Sequence, residues 1–160
     1  MINSTVSFTS FILFLGLLMT SCEDHAFYDE AHSFDKNTWT EKDTAVFKVE
    51  VDDTDINYDF FLTLRTSKSY AYSNLWVTIE TIAPDDSKSV ISQRIDIANP
   101  DGSWKGRVTG SLVENRLHYR TTAFPLEGNY TFRIYQSVNQ EKINDVMDIS
   151  LRIEPKFVNS

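Results

Sequence analysis

Apolar and polar side chains alternate with a period of two along several short stretches after residue 44. In the first stretch, Phe47, Val49 and Val51 alternate with Lys48 and Glu50. Such alternation is typical of a β-strand that has one face in a core and the other in water. The pattern recurs in six further stretches, at residues 58–66, 75–80, 91–97, 117–121, 130–134 and 149–153. The chain therefore favours an all-β fold.

The intervals between these stretches contain clusters of Asp, Asn, Pro and Gly, which are the residues that β-turns prefer. Seven or eight short strands with little helix predict a β-sandwich, either jelly-roll or immunoglobulin-like, in which each sheet buries one face. A length of 160 residues and a hydrophobic fraction of 41% are sufficient for one domain with a packed core. Residues 138–147 are predicted to form a loop or a single helical turn.

The first 22 residues resemble a bacterial lipoprotein signal. Residues 6–19 are almost wholly apolar, a length near that of the apolar h-region of a secretory signal and shorter than the ~20 residues of a membrane-spanning helix. The run ends in Met19-Thr20-Ser21-Cys22, and Cys22 is the only cysteine of the chain. This order resembles the lipobox, in which the cysteine carries the lipid chains and becomes the first residue after cleavage. The alternatives are a buried structural cysteine after an N-terminal helix and a secreted protein with a spare thiol.

Three segments follow from these patterns. We predict a lipoprotein signal peptide over residues 1–21, a lipidated tether and irregular lead-in over residues 22–44, and a β-sandwich domain over residues 45–160. The lead-in is polar but contains Phe27, Tyr28, Phe34 and Trp39, so part of it is expected to pack on the domain. Once Cys22 is acylated, the mature chain has no thiol for a disulfide, a metal or catalysis.

Charge and motif spacing disfavour several classes of function. The chain has 23 acidic and 15 basic residues, whereas a nucleic-acid partner requires a basic face. His25, His32 and His118 lack the paired spacing of zinc ligands. Residues 53–57 begin like a calcium loop but lack its Gly and Glu, which favours a turn capped by Asp. With no nucleophile motif or phosphate loop, we expect a protein that is not an enzyme and has no metal or cofactor besides the lipid on Cys22.

One segment places aromatic residues where polar ones are expected. Tyr70, Tyr72, Asn74 and Trp76 share the strand parity that faces water, and three rings there would form an apolar patch. We predict that these four residues form a binding surface, either for a protein or for the C–H faces of a sugar. The alternative, which the aromatic residues of the lead-in favour, is that the lead-in or a long loop covers this face.

Residues 101–106, with the sequence DGSWKG, form the other distinctive segment. Two glycines flank a tryptophan directly after Pro100. We expect a tight loop that has a glycine at positive φ and places Trp104 at one end of the sandwich.

Three stretches resemble the gliding-motility lipoprotein GldH family of the Bacteroidota. They are YDFFLTLRTSKSYAYSNLWVTIE at residues 58–80, DGSWKG at residues 101–106, and GNYTFRIYQSVNQEKINDVMDISLRIE at residues 128–154. Residues 136–139 and 143–146 depart from the family pattern, as in a divergent member. The resemblance implies a cell-envelope lipoprotein without catalytic activity. It also implies a requirement in gliding and type IX protein secretion, with other envelope proteins of these machineries as partners.

The leading hypothesis is a non-enzymatic β-sandwich, lipid-anchored at the outer membrane, that docks onto an envelope protein complex. The alternative is a surface lipoprotein that binds glycans through its aromatic residues. A third class, an envelope hydrolase, requires two carboxylates, or a serine and a histidine, in one cleft. His118 is the only histidine within the predicted strands.

Overall fold

The computed structural model describes residues 26–156, which form two large antiparallel β-sheets packed face to face and a third sheet of two short strands. Residues 1–21 and Cys22 lie outside the described residues. The only helical element in residues 26–156 is a 3-10 turn at Asp35–Asn37. The eleven strands are β1 (Tyr28–Ser33), β2 (Thr38–Thr40), β3 (Ala45–Val51), β4 (Asn57–Ser67), β5 (Asn74–Ile82), β6 (Lys88–Asp96), β7 (Arg107–Thr109), β8 (Leu112–Thr122), β9 (Gly128–Gln136), β10 (Lys142–Asn144) and β11 (Val146–Lys156).

The strand order is that of a jelly roll. One sheet has the order β1-β11-β4-β8-β7 and the other has the order β3-β9-β5-β6. Apart from the short strands β2, β7 and β10, the first strand pairs with the last, and each inner pair is nested within it: β1 with β11, β3 with β9, β4 with β8, and β5 with β6. This nesting confirms the predicted β-sandwich and identifies it as a jelly roll rather than an immunoglobulin-like fold.

The core lies between the sheets and follows the alternation in the sequence. In β3, Phe47, Val49 and Val51 are buried, whereas Lys48 and Glu50 are exposed. Strands β4, β9 and β11 alternate in the same way. The seven predicted strands are confirmed as β3, β4, β5, β6, β8, β9 and β11, because each has one face in the core.

The lead-in has more regular structure than the sequence predicted. Strand β1 pairs with β11 along its whole length, and β2 pairs with β10. Phe34 and Trp39 are buried with stacked rings whose centroids are 4.4 Å apart, which confirms that the lead-in packs on the domain. Alternation does not reveal β1 because it is an edge strand whose residues are mostly exposed. Residues 138–147 contain β10 and no helical turn.

Two predicted turns are confirmed. The Asp53 carboxylate accepts a hydrogen bond from the backbone N–H of Asp55 at 2.8 Å, which is the expected Asp-capped turn. Gly102 has a φ of +84°, and Trp104 is partly buried against the core. Gly106 is needed for a different reason, because a Cβ at this position would lie 2.2 Å from the carbonyl oxygen of Glu114.

Ion pairs on the outer face of the five-stranded sheet are expected to make the domain sensitive to acid. A hydrogen bond from Arg152, supported by Arg116, lowers the pKa of the Glu154 carboxyl, and one from Thr121 lowers the pKa of Asp59. Because the folded state binds these protons less tightly than the unfolded state, the carboxylates stabilise the fold above their unfolded pKa of about 4. That stability is lost as the pH falls through the lower, folded pKa.

We therefore expect the urea midpoint of unfolding to fall between about pH 5 and pH 3. The variant Glu154→Gln is expected to lose less stability over this interval than the parent protein. Glu50→Gln is the matched control, because Glu50 is exposed and has no ion-pair partner within 4.0 Å among residues 26–156. An equal acid response in Glu154→Gln and the parent would contradict the proposed contribution of Glu154.

Candidate docking site at one end of the sandwich

Three loops meet at one end of the sandwich, which we call the loop end. They are residues 68–73 between β4 and β5, residues 97–106 between β6 and β7, and residues 137–141 between β9 and β10. The backbone N–H of Ile97 donates to the carbonyl oxygen of Ser73 at 2.8 Å, and the side-chain amide of Gln140 donates to the Tyr72 hydroxyl at 2.9 Å. Each of the three stretches that resemble the GldH family contributes one of these loops.

Tyr70 is buried, which corrects the prediction that it faces water. Its side chain is 5% exposed, and its hydroxyl donates a hydrogen bond to the carbonyl oxygen of Asn74 at 3.2 Å. Burial raises the pKa of Tyr70. The prediction was wrong because β5 begins only at Asn74, so strand parity does not extend back into the loop.

Tyr72 and Trp76 are exposed, by 47% and 44% respectively, and Asn74 lies half-buried between them. Trp76 lies on the outer face of the four-stranded sheet, opposite Arg94 of β6, and its backbone carbonyl accepts a hydrogen bond from Ser137. Within residues 26–44 the lead-in pairs with β11 and β10 and does not cover these rings. The alternative that the lead-in covers the aromatic face is therefore wrong for residues 26–44, the part of the lead-in that the structure describes.

Two shallow clefts flank Tyr72. One, of about 380 Å³, lies between the loop of residues 68–73 and residues 138–143, and its walls include Leu75, Val138 and Ile143. The other, of about 370 Å³, lies between the same loop and residues 98–104, with Trp104 in its wall. Tyr72 therefore lies between two shallow clefts, and clefts of this kind can accept side chains of a partner protein.

The loop end combines predicted residues with others that the sequence did not indicate. Trp104 was expected at one end of the sandwich, and the structure confirms that position. The sequence did not indicate Val138 and Gln140 as site residues, because they lie in a loop without periodicity. They are distant from Tyr72 in the sequence and come close to it only in the folded chain. Asn74 contributes to the wall of the larger cleft.

Across residues 26–156, no group of three or more His, Cys, Asp or Glu side chains is placed to hold a metal. His118 Nε2 lies 3.0 Å from Asp59 Oδ1 on the outer face of the five-stranded sheet, outside both clefts of the loop end. No helix within residues 26–156 has the length and apolar character needed to cross a membrane.

Comparisons with known proteins agree with the resemblance in the sequence. A family model described as GldH lipoprotein matches residues 26–153. The chain is 26% identical over 152 residues to the gliding motility lipoprotein GldH of Flavobacterium johnsoniae, covering 91% of this chain and 94% of that protein. It is 27% identical over 157 residues to a gliding motility lipoprotein GldH homolog of Christiangramia forsetii, covering 92% and 96%.

Two solved structures are distantly similar to the sandwich. The periplasmic inhibitor of g-type lysozyme, PliG, from Aeromonas hydrophila has 15% identity and a TM-score of 0.35, covering 81% of this chain and 87% of its own. A protein of Sulfurospirillum deleyianum has 11% identity and a TM-score of 0.39, covering 81% and 98%. Similarity at this level does not bear on function. The match to the family model spans most of the sequence, and the chain belongs to the GldH lipoprotein family.

Proposed function

We propose that this chain is a non-enzymatic lipoprotein of the cell envelope that supports gliding motility and type IX protein secretion by docking onto other proteins of these machineries. Membership of the GldH lipoprotein family supports the lipid anchor, and the names of both relatives support the role in motility. In this proposal the anchor is the acylated Cys22, and the membrane that it enters is the outer membrane.

The exposed pair Tyr72 and Trp76 at the loop end carries the docking proposal. Tyrosine and tryptophan are enriched among the residues that contribute most to protein interfaces, where they bury a large area at a low entropic cost. The two clefts beside Tyr72 provide space for side chains of the partner.

The glycan-binding alternative uses the same rings as a stacking platform. A sugar site also needs free polar groups that select hydroxyls of the ligand. At the loop end the Tyr72 hydroxyl is already hydrogen-bonded to Gln140, and the Asn74 side-chain amide is 3.4 Å from the Ser73 hydroxyl. The pairing of the Tyr72 hydroxyl with Gln140 leaves it less available to a sugar, which favours protein docking.

The double variant Tyr72→Ala/Trp76→Ala tests the docking site. We expect it to lower the recovery of co-purified envelope proteins by about tenfold or more, because truncating interface anchors costs about 2 kcal/mol or more. Its thermal stability is expected to change little, since both rings are nearly half exposed. The measurement is quantitative mass spectrometry after affinity purification of the tagged full chain from the native host.

Leu126→Ala is the matched control, because Leu126 is an exposed apolar residue in the loop between β8 and β9, at the opposite end of the sandwich. Recovery unchanged in the double variant would remove the loop end from the proposal. Saturable binding of an oligosaccharide to the parent, lost in the double variant, would favour the glycan alternative instead.

A further inference from the structure

The end of the sandwich opposite the loop end contains the N-terminus of the described chain. The backbone N–H of Phe27 donates to the carbonyl oxygen of Ile153 at 2.9 Å, and its ring lies 5.0 Å from that of Tyr58. Tyr58 is near the start of β4 and Ile153 is near the end of β11. Strand β1 then leads away from this end and towards the loop end.

The length of β4 separates the two ends. This strand begins at Asn57, beside Phe27, and ends at Ser67, directly before the loop of residues 68–73. Eleven residues in an antiparallel strand, at about 3.4 Å each, span about 34 Å. Tyr72 is therefore separated from Phe27 by nearly the whole length of the sandwich.

The chain between the proposed lipid anchor and the sandwich is short. Five residue steps connect Cys22 to Phe27. A polypeptide spans at most about 3.6 Å per residue, so these steps bridge no more than about 18 Å. This reach is about half the length of β4, so the anchor cannot extend from Phe27 to the loop end.

The charge of its loops distinguishes this end from the loop end, and we call it the acidic end. Its three loops, residues 52–56, 83–87 and 123–127, contain six acidic residues and no Lys or Arg. The acidic residues are Asp52, Asp53, Asp55, Asp85, Asp86 and Glu127. A surface of this sign is repelled by anionic lipid headgroups within about one Debye length, which is about 8 Å at physiological salt.

We infer that the lipid holds the sandwich by its acidic end, and that the loop end points away from the membrane. The short tether keeps the acidic end within about 18 Å of the anchored Cys22, and charge repulsion keeps that end from resting directly on an anionic surface. A partner that docks at Tyr72 then meets the protein about 34 Å or more beyond the acidic end. This inference rests on the proposed function through the anchor at Cys22.

Energy transfer to the membrane tests the orientation. Single-cysteine variants Asp55→Cys at the acidic end and Asn139→Cys at the loop end, both at exposed positions, are labelled with a donor dye in the full lipoprotein. The proteins are reconstituted in vesicles of phosphatidylethanolamine and phosphatidylglycerol that contain an acceptor-labelled lipid. We expect strong transfer from residue 55 and transfer several-fold weaker from residue 139.

Two controls make the outcomes distinct. The parent protein, in which Cys22 is the one cysteine, must take up no dye because its sulfur is acylated, and Cys22→Ala forms of both variants must give no transfer. Equal transfer from the two positions, or stronger transfer from residue 139, would overturn the orientation while leaving the anchor intact. Absence of transfer from both positions would overturn the anchor itself, and the orientation with it.

Discussion

Replacing Trp39 with alanine is expected to lower the free energy of unfolding by about 3–5 kcal/mol. Trp39 is fully buried, its ring stacks on Phe34, and its indole N–H donates to the carbonyl oxygen of Asp43 at 2.9 Å. The substitution loses the burial of the ring, leaves a cavity and leaves that carbonyl without its partner. Because single domains are stable by only about 5–15 kcal/mol, this loss is a large fraction of the total.

Urea unfolding followed by circular dichroism measures this effect, and the variants Trp76→Ala and Trp39→Phe provide the comparison. Trp76→Ala removes a ring that is 44% exposed, so we expect it to cost about 1 kcal/mol or less. Trp39→Phe keeps an aromatic ring on Phe34 and is expected to recover part of the loss. If Trp39→Ala and Trp76→Ala were equally stable, the lead-in would not be part of the folded core.

This experiment addresses the part of the fold that the sequence predicted least well. Alternation predicted β3 and β4 with their buried faces, because apolar and polar residues alternate along a strand that lies between the core and solvent. Strand β1 has no such signature, because an edge strand is held mainly by backbone hydrogen bonds, which every residue type except proline can make.

In the candidate site, too, the sequence predicted what depends on one strand and missed what depends on contacts between distant segments. Trp76 was correctly placed on an outer face because it lies inside β5, where parity holds. Tyr70 was wrongly placed because it precedes the strand. The proximity of Gln140 to Tyr72 depends on the pairing of β5 with β9, which a local pattern of residues does not encode.

When the chain is exported with a signal peptide that the general signal peptidase removes, replacing Cys22 with alanine is expected to release the protein from the membrane fraction almost completely. Each buried methylene contributes about 0.8 kcal/mol to membrane binding, and one acyl chain gives only weak, reversible attachment. A lipidated cysteine with several chains exceeds this threshold. In residues 26–156 no helix is long and apolar enough to replace the anchor.

Metabolic labelling with an alkyne analogue of palmitate, followed by fractionation, measures both the lipid and the location. We expect the parent to be labelled and membrane-bound, and Cys22→Ala to be unlabelled. Ser21→Ala is the matched control, because a small residue before the cysteine still suits the peptidase and should preserve labelling. An unlabelled parent that leaves the membrane freely would contradict the anchor. Loss of the lipid would also remove the tether of at most about 18 Å that is proposed to keep the acidic end near the membrane.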